Sequence, residues 1–276
     1  SANLVAVRAF GSNGGGTYAD VIRGIGWVVA NKATYNIRVL NCSFSAPAQS
    51  HYWDDPINQA LMAAWHAGIV VVVSAGNRGP GPMTLGVPAN LPYVITVGAM
   101  SDGVSPENPN DDYLATFSAT GPTVEGFAKP DLVAPGGHMR GLMDPADWVP
   151  SQYPNFRIGD GYFTMSGTSQ AAAVVSGVAA LMLQFDPTLT PDDVKCGMMA
   201  TARSARQPDG SAPYSVFQQG AGLVNAYDAV LGGHTGCANN GLDVAQDRAG
   251  TQHFGGPASR DANGNYYLMD QAGSGT

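Results

Sequence analysis

An α/β architecture, a mainly parallel sheet flanked by helices, is what this chain of 276 residues predicts. Three observations carry that expectation. Segments of strand character alternate with segments of helical periodicity, which implies parallel pairing through crossover connections. Residues 69–73 read Ile-Val-Val-Val-Val, five aliphatic residues in a row, as a strand covered on both faces requires. Ala171, Val175, Val178, Ala179 and Met182 recur at three- and four-residue steps, the spacing of one buried face on a long helix.

Taken in order, residues 4–10 alternate apolar with small or polar side chains and predict the first strand. A glycine-rich loop follows. Thr17 stands where a cap is needed for a helix whose apolar face is Val21, Ile22, Ile25, Val28 and Val29. Residues 37–44 predict a second strand. Asp55-Pro56 supplies a cap and a first-turn proline for a helix that turns Leu61, Met62 and Trp65 inward and ends at Gly68. Residues 93–99 form the next strand. Thr190-Pro191-Asp192-Asp193 opens a helix that runs through Met199, and residues 222–231 give a last short helix. Gly232-Gly233 then marks a boundary. Residues 1–232 are expected to form one domain, and 233–276 a tail or the start of a further domain, with Tyr266-Tyr267-Leu268-Met269 as its only apolar cluster.

The composition limits the functions available. A net charge of −8 gives neither nucleic acid nor an anionic membrane anything to attract, so neither is expected as a partner. No run approaches the ~18 unbroken apolar residues of a membrane span. Ser1-Ala-Asn-Leu opens directly into strand pattern without a signal peptide, as expected of a processed or truncated chain. Of three cysteines, Cys42 falls in an apolar strand as a buried thiol, whereas Cys196, on a late helix, and Cys237, just past the domain boundary, could pair. One pair suits an exported, extracellular protein. Asn41-Cys42-Ser43 fits a glycosylation sequon, but in a buried strand it reads as a chance match. No cofactor is expected. Calcium is an alternative at the Pro-, Asn- and Asp-rich residues 103–112, and Asp261-Ala-Asn-Gly-Asn265 matches a calcium loop less well than a hairpin turn.

The chemistry centres on Ser169. A serine on the first turn of a buried helix has unpaired N–H groups and the positive end of the helix dipole beside it, and both favour the anion formed when its oxygen attacks a carbonyl. Taken alone, Thr168-Ser169-Gln170 could equally be the cap of an alanine-rich core helix. The wider pattern resembles the subtilisin-like serine proteases, the subtilases. Gly167-Thr168-Ser169-Gln170-Ala171-Ala172 resembles the family's nucleophile motif. Val39-Leu-Asn-Cys-Ser-Phe-Ser45 resembles its substrate-binding strand, Val73-Ser-Ala-Gly-Asn77 its oxyanion-asparagine segment, and Lys129-Pro-Asp-Leu-Val-Ala-Pro-Gly136 the loop before the nucleophile helix. The four stand in the family's order, and the resemblance runs from about residue 3 to 231.

The resemblance implies a subtilisin-like endopeptidase domain that hydrolyses peptide bonds through an acyl-enzyme on Ser169. Asn77 would stand in the oxyanion hole. Ser43, Phe44 and Ser45, with Ser74, Ala75 and Gly76, would bind substrate, and Met165 would border the leaving-group side. The family usually has glycine where Ser45 stands, which changes the primary pocket. The family's aspartate and histidine have no counterpart here, so the sequence is expected to be an N-terminally truncated, C-terminal part of the domain. Among the five histidines, His138 is the candidate for a substitute base, ahead of His51. Three functions stay open: a peptidase, a truncated form that cleaves activated esters with little or no proteolysis, and an inactive processing fragment or non-catalytic binding module. The strand carrying the family's aspartate belongs between residues 4–10 and 37–43. The chain is therefore expected to close up, to leave its first strand loose, or to take a strand from an N-terminal fragment or a second copy.

Overall fold

The computed structural model describes residues 2–12, 14–101, 112–204 and 213–269. Helices α1 (Tyr18–Ala30) and α2 (Lys32–Tyr35) lead to strand β1 (Val39–Cys42). Then come α3 (Pro56–His66), β2 (Val70–Ser74), β3 (Ile95–Ser101), β4 (Tyr113–Leu114) and β5 (Leu132–Pro135). An antiparallel excursion follows: β6 (Met139–Leu142), α4 (Trp148–Gln152), β7 (Arg157–Ile158) and β8 (Tyr162–Met165). The remainder is α5 (Thr168–Phe185), α6 (Pro191–Thr201), α7 (Val216–Gln219), α8 (Ala226–Leu231), α9 (Val244–Arg248), β9 (Ala258–Arg260) and β10 (Tyr266–Leu268).

The main sheet is parallel in the order β1-β2-β3-β5, with Val39 opposite Val70, Val72 opposite Ile95 and Val97 opposite Leu132. Short β4 runs antiparallel to the end of β3. All five residues of β2 are buried, as the unbroken aliphatic run requires. α5 packs across β1, β2, β3 and β5, and Ala171, Val175, Val178, Ala179 and Met182 all lie in the core. By length and mean hydropathy alone α5 could cross a membrane, although Thr168, Ser169, Gln170, Ser176 and Gln184 interrupt its apolar residues. Its apolarity follows from its place as the central core helix.

The caps form as the sequence prescribes. Thr17 and Asp20 make a reciprocal capping box on α1, and the Asp55 carboxylate accepts from Ile57 N (2.8 Å) and Asn58 N (3.2 Å). Gly68 takes φ +80° where α3 ends. The buried Lys129–Asp131 stretch braces β5 against β3. Lys129 Nζ donates to Asp131 Oδ2 (2.6 Å) and Val94 O (2.8 Å), Asp131 also accepts from Thr96 N (2.7 Å), and Lys195 Nζ lies 3.1 Å from Asp131 Oδ1. Burial pushes the Lys129 ammonium down to about 7, against the opposing pull of Asp131.

The strand predicted over residues 4–10 does not form. Leu4 is 96% exposed, Val5 and Val7 are also exposed, and only Ala9 and Phe10 touch the core. A strand needs a ladder partner, and among the described residues no strand pairs with β1 on the side away from β2, so the alternating pattern of residues 4–10 finds no sheet face to bury against. For the same reason Asn41 is not buried. It lies exposed on the edge strand, where its amide donates to Ser43 Oγ (2.9 Å) and accepts from Ser176 Oγ (3.1 Å).

Residues beyond 232 fold back onto the body. Cys196 and Cys237 form a disulfide with Cα atoms 5.1 Å apart. Asp247 is fully buried and accepts from Tyr52 Oη (2.6 Å) and Tyr93 Oη (2.9 Å); burial and this carboxylate push both phenols well above their ordinary range. Trp53 is stacked between His51 and His253, at 4.4 and 4.6 Å. Asp261 turns the β9–β10 hairpin, its carboxylate accepting from Asn263 N and Asn265 N. Residues 103–111 of the alternative calcium loop lie outside the described residues. Among the described residues no group of three or more His, Cys, Asp or Glu side chains could hold a metal ion.

Candidate active site

Parallel strands deliver ligand sites at their carboxyl ends. β1 ends at Cys42, immediately before Ser43-Phe44-Ser45, and β2 ends at Ser74, before Ala75-Gly76-Asn77. α5 begins at Thr168 on the same side, so three scattered motifs meet. Ser169 is half-buried on the first turn, whose N–H groups have no acceptor within the helix. Its hydroxyl donates to Ser43 O at 3.4 Å, while Ser43 Oγ donates back to Ser169 O at 3.2 Å. The segment after β1 and the first turn of α5 are thus tied together directly.

Thr168 orients Asn77. Asn77 Oδ1 accepts from Thr168 N (3.0 Å) and Thr168 Oγ1 (2.9 Å), and Thr168 Oγ1 in turn accepts from Gly76 N at 3.1 Å. With Oδ1 committed, the carboxamide turns its Nδ2 donors toward the start of α5. A Cβ added at Gly167 would stand 3.5 Å from Nδ2 and 2.8 Å from Gln170 Oε1, so the Asn77 carboxamide and the Gln170 side chain both lie against this turn. Gly76 adopts φ +106°, a conformation that admits glycine and little else. Gly167 N donates to Gly136 O (2.8 Å), which fixes the turn to the end of β5.

Ser45 marks the departure from the family pattern. Ala46 and Val87 exchange backbone hydrogen bonds at 2.8 and 2.9 Å, which brings Gly86 against this strand. A Cβ on Gly86 would fall 2.6 Å from Ser45 Oγ and 2.3 Å from Ala46 O; one on Gly76 would lie 3.7 Å from Ser45 Oγ. The Ser45 hydroxyl therefore lies beside both Gly76 and Gly86. Phe44 packs on Phe10, ring centroids 5.5 Å apart, and Met165 Sδ lies 3.8 Å from Gln170 Nε2.

His138 occupies an exposed turn with φ +52°, its backbone N–H donating to Ser166 Oγ at 2.9 Å. It is near the nucleophile turn, but the hydrogen bond of Ser169 Oγ goes to the Ser43 carbonyl. His51 is engaged elsewhere, 3.1 Å from the buried Glu125 carboxylate and stacked on Trp53. A cleft of about 470 Å³ opens between residues 8–11 and α1, lined by Arg8, Phe10, Asp20 and Arg23, and borders none of these site residues. Sequence reasoning missed Thr168 as the anchor of Asn77, although its place inside Gly-Thr-Ser was the available signal. It also missed Gly86, whose need for close backbone approach has no local signature.

Fold and site together define a subtilisin-like α/β domain. Residues 1–222 match the subtilase family, peptidase S8, and the chain belongs to that family. It is 39% identical over 236 residues to serine protease AprX of Bacillus subtilis, covering 84% of this chain and 52% of that protein. Subtilisin DY of Bacillus licheniformis is 32% identical over 225 residues, covering 81% of this chain and 66% of that protein. The chain thus spans about half to two thirds of the length of the curated relatives it matches. Among solved structures, the prenylagaramide maturation protease PagA is similar with a TM-score of 0.60 at 26% identity, covering 80% of this chain and 70% of that one. The self-cleaved protease domain of PatA is similar with a TM-score of 0.57 at 27% identity, with the same coverage.

Proposed function

We propose that this chain carries the nucleophile and oxyanion half of a serine endopeptidase, with Ser169 as acyl acceptor and Asn77 as oxyanion donor. The observation that carries the reading is the orientation of Asn77: Thr168 holds its Oδ1, leaving Nδ2 beside the turn that bears Ser169. Ser169 Oγ bonds to the substrate's carbonyl carbon, and the oxygen that gains charge lies between the Ser169 N–H and Asn77 Nδ2. Ser43, Phe44 and Ser45 present an extended backbone to the acyl half of the substrate, and the Ser74-Ala75-Gly76 turn forms the opposite wall. The Ser45 hydroxyl favours small residues in the primary pocket.

Peptide hydrolysis also needs a proton delivered to the departing amine and one taken from Ser169. The support for a proton-transfer partner within the described residues is limited to His138, two residues beyond Gly136. An activated ester leaves as a stabilised phenolate without a proton, which gives a second reading: ester cleavage with little proteolysis. A third reading is a non-catalytic binding module. Casein and a nitrophenyl ester assayed side by side separate the three. Cleavage of both supports the peptidase, ester alone the second reading, and neither the third.

The partner that fits is a segment bearing an aspartate and a histidine that completes the sheet. Among the described residues three features support it: an edge of β1 with no strand beside it, residues 4–8 in no sheet, and an exposed stripe on α5 formed by Ala173, Gly177, Leu181 and Phe185 at four-residue steps. Self-association through the same face is the other way to cover it, and light scattering with and without the added segment distinguishes the two. The Cys196–Cys237 disulfide suits an oxidising, extracellular compartment.

A further inference from the structure

Asn41-Cys42-Ser43 fits a glycosylation sequon, yet both polar side chains of this triplet are engaged within the fold. Residues two apart on a strand share a face, and residues seven apart on a helix do likewise. Asn41 and Ser43 both reach toward α5, while Cys42 between them is 3% exposed and lies in the core. Opposite them on α5 stand Ser169 and Ser176, seven positions apart. Ser43 Oγ donates to Ser169 O at 3.2 Å, and Asn41 Oδ1 accepts from Ser176 Oγ at 3.1 Å. Asn41 Nδ2 donates to Ser43 Oγ at 2.9 Å and joins the two contacts. The proton count fixes the directions. The single Ser43 hydroxyl proton goes to Ser169 O, so toward Asn41 this oxygen can only accept. Nδ2 therefore faces Ser43 and Oδ1 faces Ser176, whose hydroxyl is shared with Ala172 O at 2.9 Å.

Side chains have to place Ser43 because the ladder does not. The pairing of β1 with β2 ends at Cys42 opposite Val73, and backbone pairing resumes only at Ala46 opposite Val87. Resting on the reading of Ser169 as acyl acceptor and of residues 43–45 as the acyl-side segment, we propose that Asn41 is a positioning residue. Acting through Ser43, it sets the distance between the backbone that holds the acyl half of the substrate and the oxygen that attacks it. Ser169 Oγ lies 3.4 Å from Ser43 O, so a shift of Ser43 is felt at the nucleophile. A displacement of about 1 Å between reacting groups can cost on the order of 10²-fold. Asn41 itself contacts Ser43 and Ser176, not the reacting oxygen.

The role shows only with a substrate that lies along residues 43–45. Two nitrophenyl esters, of acetate and of N-acetyl-trialanine, share a leaving group and differ in that respect. With the protein in excess, release of nitrophenolate reports acylation alone. Asn41→Leu, close to isosteric and without a polar atom, lowers the saturating acylation rate with the peptidyl ester about tenfold. The half-saturating concentration and the rate with acetate stay as in the wild type. Asn41→Asp keeps an acceptor for Ser176 but has no donor for Ser43. It lowers the ratio of the two rates by the same factor, since its added charge acts on both esters alike. Ser43→Ala lowers the ratio equally, and the double variant Asn41→Leu/Ser43→Ala loses nothing further, as one shared contact requires. Asn41 and Ser43 are exposed, and unchanged unfolding curves show that each variant folds. An unchanged ratio in Asn41→Leu overturns the proposal, as does an equal loss with both esters, additive losses in the double variant, or a loss confined to the half-saturating concentration. A wild-type chain that acylates with neither ester removes the reading of Ser169 as well. A wild type that acylates beside an unaffected Asn41→Leu removes the positioning role alone.

Discussion

Replacing Thr168 by valine probes the geometry that holds Asn77. Valine keeps the volume and β-branching of threonine, so no cavity opens and packing against α5 is preserved. What is lost is a single oxygen with two buried duties: accepting from Gly76 N at 3.1 Å and donating to Asn77 Oδ1 at 2.9 Å. Gly76 is buried, so its N–H becomes an unsatisfied donor, at a cost of about 1–3 kcal/mol. At about 2–4 °C per kcal/mol for a domain of this size, a loss near 2 kcal/mol lowers Tm by roughly 4–8 °C. Asn77 keeps its contact to Thr168 N at 3.0 Å, so its carboxamide is loosened rather than released. Turnover of a nitrophenyl ester then falls by less than the on the order of 10²–10³ caused by removing an oxyanion donor outright, a magnitude that comes from subtilisin rather than from this chain. KM is unchanged, because the ground-state carbonyl does not rely on that donor. Thr168→Ser restores both stability and turnover. A Thr168→Val protein that melts with the wild type and keeps its kcat refutes this account of the site.

Two further outcomes follow from the scaffold. Cys196→Ala/Cys237→Ala removes a bridge across 41 positions, and denaturant unfolding should show a loss of about 3–4 kcal/mol in the chain-entropy model, with a non-reducing peptide map of the wild type recovering the two cysteines together. Lys129 is held near 7 in the fold against 10.5 when free, so the folded state binds fewer protons than the unfolded state between those values, and the group's contribution becomes more favourable as pH rises through that window. The stability of wild type relative to Lys129→Met should therefore rise between pH 7 and 10; a difference that stays flat across the window counts against a depressed Lys129.

Much of the framework was legible because its signals are local. The buried face of α5 follows from period alone, β2 from its aliphatic run, and the caps at Thr17, Asp55 and Thr190 from residue type and spacing. The meeting of the Ser169 and Asn77 segments was legible because one follows the end of a parallel strand and the other opens the central helix. Residues 4–10 were misread because alternation reports a strand's two faces but not whether a neighbour is present to complete its ladder. The β6–β8 sheet went unread because strands of two to four residues give no measurable period. The clamp of Tyr52, Tyr93 and His253 on Asp247 joins positions up to 195 residues apart, and nothing near Asp247 in the sequence announces it. The anchoring of Asn77 by Thr168 is likewise a tertiary fact, with donor and acceptor separated by 91 positions in sequence.

The central claim is that Ser169 accepts an acyl group under the Asn77 donor. Incubation with an activated ester, quenching in acid and peptide mapping by mass spectrometry test it most directly. The account predicts one added acyl group per chain, located on Ser169, absent from Ser169→Ala and much slower to form in Asn77→Ala. Acylation spread over other serines, or an adduct that persists in Ser169→Ala, contradicts it.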